Sequence, residues 1–481
     1  MTSLAPRKRV LLVNLNKYDQ PHPIYPLGLA YINGALLDAG YETRLWDHFA
    51  CAESGATVAD FVRDFRPDYV GLSLRNIDNV QSHNPHSFVE SLLQTCRDIR
   101  ALTGVPIILG GSGYSVFPRE ILKFAPADYG VMGEGELVLV ELLRALDAGR
   151  SPRDIPGLVW READGSVGAL ARDARKVCFS SHPVHEPEVM QAYLTRGSLP
   201  GVQTQRGCPL NCCYCTYPLI EGRHSRVRSG EEIAEEMARL SALGVREAFV
   251  VDSVFNTSPE HAAAVCESLI RADNKVTWGC FLKPRFLSRE LLALMKRAGM
   301  SHLEFGSDSF SDPVLTAYKK GFRYEHILQS SLLAHELGIK YAHFLIFGGP
   351  GETPATVEET LARAATLPGA IYFTTIGMRI YPGTPLWKQS GPDATGETTE
   401  DFLFEPRFHI EKPLTVSGLY ERLNAVRLKS SNWVVGDPPA EFSETMDKLR
   451  RRGRTGPMWE YIEVLQRRAL EHDPDSLTLK R

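Results

Sequence analysis

The feature that most constrains this chain is the run Gln205-Arg206-Gly207-Cys208-Pro209-Leu210-Asn211-Cys212-Cys213-Tyr214-Cys215, in which three thiols stand at C-x3-C-x2-C spacing. A short loop of that kind can wrap Cys208, Cys212 and Cys215 around three irons of a 4Fe-4S cube and leaves the fourth iron without a cysteine. An open iron is a place for a ligand to bind. A structural zinc site usually takes four Cys or His ligands, often as two separated C-x2-C pairs, and the sequence has no second pair. Cys213, next to Cys212, is expected to point the other way and to serve packing.

With the aromatic Tyr214 just before the last cysteine, the run resembles the signature of the radical S-adenosylmethionine (SAM) superfamily. The resemblance implies that the amino and carboxylate groups of SAM chelate the open iron. It also implies that reduction then cleaves the sulfonium to a 5'-deoxyadenosyl radical, with an electron donor such as flavodoxin or ferredoxin as partner.

The length of 481 residues leaves room for several domains with sizeable cores. A net charge of -4 gives no electrostatic footprint for nucleic acid, and the basic run Lys448 to Arg454 reads as a solvated helix face. No nucleic-acid partner is expected. Arg7-Lys8-Arg9 leads into an apolar run too short for a signal peptide, and no stretch approaches a membrane span. A cytoplasmic protein without a transmembrane segment is the expectation. The nine cysteines, four of them crowded into one loop, do not look like a disulfide framework.

The fold class expected is α/β: a flavodoxin-like doubly wound parallel sheet, then a partial (β/α)6 barrel, then a helical C-terminal region. Over residues 1–148, β-branched runs at Arg9–Leu15, Glu42–Asp47, Tyr69–Leu74, Pro106–Gly111 and Asp128–Met132 alternate with amphipathic stretches. Such sheets bind ligands at the carboxyl ends of their strands, and polar or glycine-rich residues fall there: Asn14 and Asn16, Asp47-His48, Ser73-Leu74-Arg75-Asn76, Gly110-Gly111 and Gly133-Glu134-Gly135-Glu136. The segment resembles the cobalamin-binding domain found in front of one class of radical SAM enzymes. That likeness implies that Ser73, Leu74, Gly110, Gly111, Gly133 and Glu134 flank cobalamin. The Asp-x-His-x-x-Gly motif of other cobalamin domains is absent, because Asp47-His48 lacks the spacing; histidine ligation of cobalt from it is not expected.

Residues 149–200 read as a connector with a small hairpin turning at Asp164-Gly165, followed by a Pro-rich stretch whose His182 and His185 are expected to be exposed. From 201 to 387 the alternation resumes for six βα units, with strands at Val202–Arg206, Glu247–Val251, Val276–Phe281, His302–Phe305, Tyr341–Phe347 and Ile371–Met378. Chemistry is expected where their carboxyl ends converge. By resemblance, residues near Asp252 hold the methionyl amine, Glu304 and Ser307 reach the ribose or methionine, and Ile346, Gly348 and Gly349 flank adenine. Arg379 closes the sixth strand and joins them as a cofactor-binding expectation. Lys319-Lys320 reads as solvent-facing, or as the cation that the superfamily often sets against the methionyl carboxylate.

Residues 388–481 read as helical, with helices at Leu414–Ser430, Ala440–Arg452 and Met458–Ala469; the resemblance implies that this region covers the barrel mouth. Their aromatic residues Phe402, Phe404, Phe408, Trp433, Trp459 and Tyr461 are pocket candidates, with core packing the default. The expected activity is that of a cobalamin-dependent radical SAM enzyme methylating an unactivated carbon, with a small molecule, a lipid and a peptide all open as substrate. Cyclisation, oxidation or rearrangement is the alternative within the class. A non-catalytic cobalamin or electron-transfer module is the alternative outside it, and methylthio transfer would normally need a second set of three cysteines near the N-terminus.

Overall fold

The computed structural model of the chain describes residues 7–19, 22–172 and 182–436, and beyond them 445, 448, 449, 452, 454, 459 and 461. The expected helices at 440–452 and 458–469 therefore lie largely outside the described residues. The front sheet comprises β1 (Arg9–Asn14), β2 (Glu42–Asp47), β3 (Tyr69–Ser73), β4 (Ile107–Gly110), β5 (Tyr129–Val131), β6 (Leu158–Arg161) and β7 (Val167–Ala169). Its order is β2-β1-β3-β4-β5-β6-β7. The first five are parallel and have the flavodoxin-like order that the alternation predicts. Successive side chains bury to opposite faces: Leu11, Val13 and Val70 on one, Val10, Leu12 and Tyr69 on the other. The expected hairpin forms as β6 and β7, with Gly165 at φ +85° in its turn, but it is no free-standing connector. It pairs antiparallel with β5 and lengthens the front sheet to seven strands.

The following segments are β8 (Gly201–Val202), β9 (Gln205–Arg206), β10 (Arg226–Val227), β11 (Glu247–Val250), β12 (Thr277–Leu282), β13 (Met300–Asp308), β14 (Lys340–Phe347), β15 (Ala370–Ile376), β16 (Met378–Arg379), β17 (Phe408–His409) and β18 (Trp433–Val435). Seven of them make an all-parallel sheet, β18-β15-β14-β13-β12-β11-β8. The first six in chain order are the expected barrel strands. The seventh corrects the reading of the C-terminal region as purely helical, since Trp433-Val434-Val435 pairs with β15 and buries all three side chains. Helices on the outside start where the sequence offers caps: Ser229, Ser258, Ser288 and Thr353 each accept a bond from the first turn of the helix that follows.

Strand alternation shows which way the barrel opens. Outward residues such as Val250, Cys280, Leu303, Phe305, Tyr341 and Leu345 are buried beneath the helices. Inward residues Phe249, Phe281, Glu304, Phe344, Ile346 and Phe373 keep partial exposure, so the interior is lined but not filled. Phe249, Phe281, Phe344 and Phe373 touch in sequence, with centroids 5.0, 6.0 and 5.0 Å apart. Below them Trp459 meets His302 at 5.3 Å and packs with Ala342, Ile371 and Val434. A single apolar core then runs from the front domain (Leu72, Phe117) into the barrel and its C-terminal cover (Tyr318, Met378, Leu386, Phe402).

Candidate active site

The cysteine loop leaves β9 through Gly207, whose φ is +92° and whose added Cβ would lie 2.2 Å from the His224 carbonyl oxygen. Only glycine fits that turn. Gly207 N–H donates to Glu221 Oε2 at 3.1 Å and Cys208 N–H to the Gly222 carbonyl at 3.0 Å, fixing the base of the loop. Cys213 faces away from the other thiols, packed at 3.6 Å on the Met378 sulfur, with its amide donating to the Tyr318 carbonyl. Burial pushes the Cys208, Cys212 and Cys215 thiols up, Cys215 to about 12, and neighbouring thiolates push Cys208 and Cys215 further. Binding a metal cluster would favour the deprotonated form of these thiols. Among the described residues no three His, Cys, Asp or Glu side chains converge tightly enough to hold a single metal ion.

Beside the thiols, Tyr214 OH donates to Asp308 Oδ2 at 2.6 Å, and Lys320 Nζ sits 2.7 Å from the same oxygen. Lys320 is buried; burial opposes its charge, but Asp308 and the nearby cysteines outweigh that and hold its pKa above the ordinary lysine range. Lys320 is therefore not a solvent-facing residue. With half-buried Lys283, whose charge also reaches Cys212 and Cys208, it makes the thiol side of the barrel mouth cationic.

The other expected barrel residues divide by the direction in which they point. Glu304 faces inward, and burial pushes its carboxyl up to about 8, so at neutral pH it is mostly a neutral donor. Ile346 also faces inward. Asp252 is buried and engaged: it accepts from Thr204 N at 2.7 Å, Thr204 Oγ1 at 2.5 Å and Gln205 N at 3.1 Å. Burial pushes it up to about 7 against those bonds. Ser307 turns outward, 2.8 Å from His343 Nδ1 beneath the helices. Gly348 (φ +88°) donates its amide to Glu352, and Gly349 has no room for a Cβ because the Tyr318 hydroxyl would lie 2.3 Å away. Both glycines thus have packing reasons of their own. Arg379 points to the front domain, pairing with Asp78 at 2.8 Å and donating to the Ile380, Arg407 and Phe402 carbonyls. The side chains of Asp252, Ser307 and Arg379 are thus each engaged by protein groups.

In the front domain Ser73 and Gly110 are register partners at the carboxyl edge of the sheet. A Cβ on Gly110 would meet nothing within 4 Å, while one on Gly111, at φ +101°, would lie 2.5 Å from the Leu74 carbonyl oxygen. The Leu74 side chain belongs to the core, and its amide donates to the Gly110 carbonyl. Gly133 lies under the Arg172 guanidinium, and Glu134 is ringed by Arg172 (3.3 Å), Arg206 (3.1 Å) and Arg226 (2.8 Å), while Arg206 also pairs with Glu136 at 2.6 Å. Glu134 is thus an interdomain tie whose side chain is taken up by protein. His185 departs from the exposed reading as well: its ring lies against Tyr25 at 5.3 Å with Nδ1 3.1 Å from the tyrosine hydroxyl. Asp308 reads in the sequence as part of a polar strand end or as a helix cap; its pairing with Lys320 and Tyr214, like the arginines around Glu134, is not legible there, because only the fold brings these groups together. Lys320 was legible only as one of two adjacent lysines.

Residues 202–364 match the model of the Radical SAM superfamily, and residues 19–143 match that of the B12 binding domain. Tryptophan 2-C-methyltransferase of Streptomyces laurentii is 28% identical over 458 residues, spanning 81% of this chain and 76% of its own length. Cytidylyl-2-hydroxyethylphosphonate methyltransferase of Streptomyces wedmorensis is 26% identical over 74% of this chain and 76% of its own. Among solved structures, the radical SAM methyltransferase TsrM from Kitasatospora setae, with cobalamin and a [4Fe-4S] cluster bound, shares the fold with a TM-score of 0.83 at 24% identity. That match covers 98% of this chain and 100% of that one.

The residues fit these cofactors. One buried thiol, Cys208, and two half-buried ones, Cys212 and Cys215, with cations beside them suit an anionic iron–sulfur cube. Gln205 Oε1, Ser253 Oγ and Glu352 Oε1 are buried polar atoms without a partner at strand ends of the barrel, where SAM would bind, and Asn16 Nδ2 is another beyond β1 in the front domain. The open space at Gly110 gives the front sheet a cradle that a side chain would fill. The chain thus joins a domain of the Radical SAM superfamily, residues 202–364, to a B12 binding domain, residues 19–143, the make-up of an enzyme that uses a 4Fe-4S cluster, S-adenosylmethionine and cobalamin.

Proposed function

We propose that the protein methylates an unactivated carbon of a small organic substrate. The observation that carries this reading is the tie between the two cofactor edges: Glu134 and Glu136, beyond β5, hold Arg206, two residues before the first cluster cysteine. The carboxyl edge of the cobalamin domain is thereby fixed against the mouth of the barrel. When bound, the cluster with SAM supplies one-electron chemistry at a sulfonium, and cobalamin supplies a methyl carrier.

The chain itself binds, orients and excludes water. Cys208, Cys212 and Cys215 are its cluster ligands. Lys320 and Lys283 bind the methionyl carboxylate, Lys320 being oriented by Asp308. Neutral Glu304 donates to a ribose hydroxyl, and Ile346 packs on adenine. Ser73, Gly110 and Gly111 give the cobalamin tail its passage along β3 and β4. The Phe249–Phe281–Phe344–Phe373 lining keeps the barrel interior dry, which strengthens every polar contact above it. A cytoplasmic location is part of the proposal; among the described residues no helix is long and apolar enough to cross a membrane.

The test is turnover of anaerobically reconstituted, cobalamin-loaded protein with SAM deuterated in its methyl group, starting with tryptophan and other indoles. The expected product carries the trideuteromethyl group, with S-adenosylhomocysteine formed in step. An unlabelled, oxidised or ring-closed product with 5'-deoxyadenosine but no S-adenosylhomocysteine would replace methylation with cyclisation or rearrangement.

A further inference from the structure

Asp308 ends β13 in a backbone conformation that a strand does not ask for. Its φ is +62°, a left-handed value uncommon for any residue but glycine, and the register between β13 and β14 shifts between Phe305 and Asp308. Local strain of this kind collects at functional sites. The carboxylate is buried beside the cysteine loop, where its Oδ2 accepts from Tyr214 OH at 2.6 Å and pairs with Lys320 Nζ at 2.7 Å. Both donors stand on segments that are themselves fixed. The Cys213 amide donates to the Tyr318 carbonyl at 3.1 Å and the Cys215 amide to the Cys212 carbonyl at 3.3 Å, one on each side of Tyr214. The Lys320 amide donates to the Leu315 carbonyl at 3.0 Å, and the Tyr318 hydroxyl donates to the Ile346 carbonyl at 3.2 Å while accepting from the Gly349 amide at 3.1 Å. Lys320 is 7% exposed, whereas its neighbour Lys319 is exposed. Asp308 and Lys320 therefore form a fixed, desolvated pair of charges beside the thiols.

Orienting Lys320 needs only an acceptor, and a neutral amide or carbonyl would serve at a smaller desolvation cost than a buried carboxylate. The negative charge of Asp308 thus asks for a role beyond holding the lysine. The two charges reach the loop with opposite signs: at Cys212 the Lys320 charge favours the thiolate, the Asp308 charge opposes it, and Lys283 acts in the same sense as Lys320. What each does to a thiolate it does to any negative charge placed in the loop. An electron added to a cluster there is such a charge, and away from water little of the effect is screened.

We infer that Asp308 is a positioning residue for the reduction step: its negative charge, set against that of Lys320, fixes how readily a cluster held by Cys208, Cys212 and Cys215 takes up its electron. The inference rests on the iron–sulfur reading of the loop. In that step one electron passes from a one-electron reductant to the cluster, Asp308 and Lys320 keep their charges, and no bond forms or breaks. Asp308 makes the electron harder to add and Lys320 makes it easier, so the pair holds the balance between them.

The test is potentiometry of the anaerobically reconstituted protein without SAM, poised with dithionite and viologen mediators at a single pH. The reduced cluster is followed by electron paramagnetic resonance, and iron is counted in every sample. Asp308→Asn keeps the shape and suits the left-handed backbone; Lys320→Gln removes the opposite charge, the double variant removes both, and Lys319→Asn removes an exposed cation as a control. At one fixed potential the ratio of reduced to oxidised cluster should be about tenfold higher than wild type in Asp308→Asn and about tenfold lower in Lys320→Gln, the effect of a unit charge about 10 Å away at an effective dielectric of about 20. The double variant and Lys319→Asn should stay close to wild type. Ratios in Asp308→Asn and Lys320→Gln that equal wild type, or that move the same way, overturn the inference, as does a Lys319→Asn shift as large as that of Lys320→Gln. Should Asp308→Asn alone retain no iron, the step from Lys320→Gln to the double variant measures the Asp308 charge, and no rise across it overturns the inference. Loss of iron from both variants that lack Asp308 assigns the residue to holding the loop together and overturns it too. A wild type with no reducible cluster would instead strike the iron–sulfur reading itself.

Discussion

Replacing Glu134 by glutamine removes the one negative charge at the centre of Arg172, Arg206 and Arg226 while preserving shape. The Glu134 side chain is 6% exposed and that of Arg206 is 7% exposed, so solvent screens little of the interaction. Breaking a buried pair by removing one partner costs about 3–5 kcal/mol. The glutamine oxygen still accepts one bond, so the lower end, about 3 kcal/mol, applies. With an unfolding entropy of about 2.1 cal/mol/K per residue, 481 residues give about 1 kcal/mol/K, and the thermal midpoint should fall by about 3 °C. The sign with pH follows from the carboxyl itself. Burial opposes its charge, but bonds and charges from Arg226, Arg206 and Arg172 outweigh that and hold its pKa below the ordinary range. Its contribution is therefore present above the unfolded pKa of about 4.3 and lost as the pH falls through the lower folded value. Scanning calorimetry of both proteins at pH 7 and in acid, with hydrogen exchange over residues 206–215, is the assay. A midpoint difference under about 1 °C at pH 7, or one that does not close in acid, refutes the claim that this cluster locks the two domains together.

Other outcomes follow from the same structure. Gly207→Ala should block cluster incorporation, since its Cβ would lie 2.2 Å from a carbonyl oxygen; normal iron content would show that the turn is not what shapes the loop. Gly110→Leu should lower retained hydroxocobalamin without shifting the thermal midpoint, because nothing stands within 4 Å of its Cβ position, whereas Gly111→Ala should destabilise by more than about 1 kcal/mol; titration of the corrinoid spectrum and calorimetry separate the two. Apo protein with Glu304→Gln should gain stability over wild type as the pH rises from about 4.3 towards about 8, because wild type keeps a proton there that the unfolded chain releases. Equal midpoints of the two proteins across that range would place Glu304 in a wetter site.

The sequence made the βα rhythm legible because largely buried parallel strands read as apolar runs, and the parallel strands of both sheets follow from it, whereas the antiparallel extension by β6 and β7 does not. Cys208, Cys212 and Cys215 were legible from spacing alone, and the turn glycine before them is explained by its φ of +92°. What the sequence hid is partner choice. Asp252, Ser307 and Arg379 stand at strand ends, as ligand residues would, yet their atoms are taken by Thr204, His343 and Asp78. Glu134 sits in a glycine-rich strand end but serves three arginines from elsewhere in the chain. Trp433 to Val435 is too short a run to announce a strand, and it becomes one only because β15 offers a free edge.

The central claim is that Cys208, Cys212 and Cys215 hold a cube whose fourth iron is left for SAM. Its most direct test is the electron paramagnetic resonance spectrum of the reduced, anaerobically reconstituted protein with and without SAM, alongside metal analysis. The account predicts about four irons per chain, kept by Cys213→Ala and lost in alanine variants of the other three, and a reduced-cluster signal that changes when SAM is added. Zinc in the loop, or a signal indifferent to SAM, would contradict it.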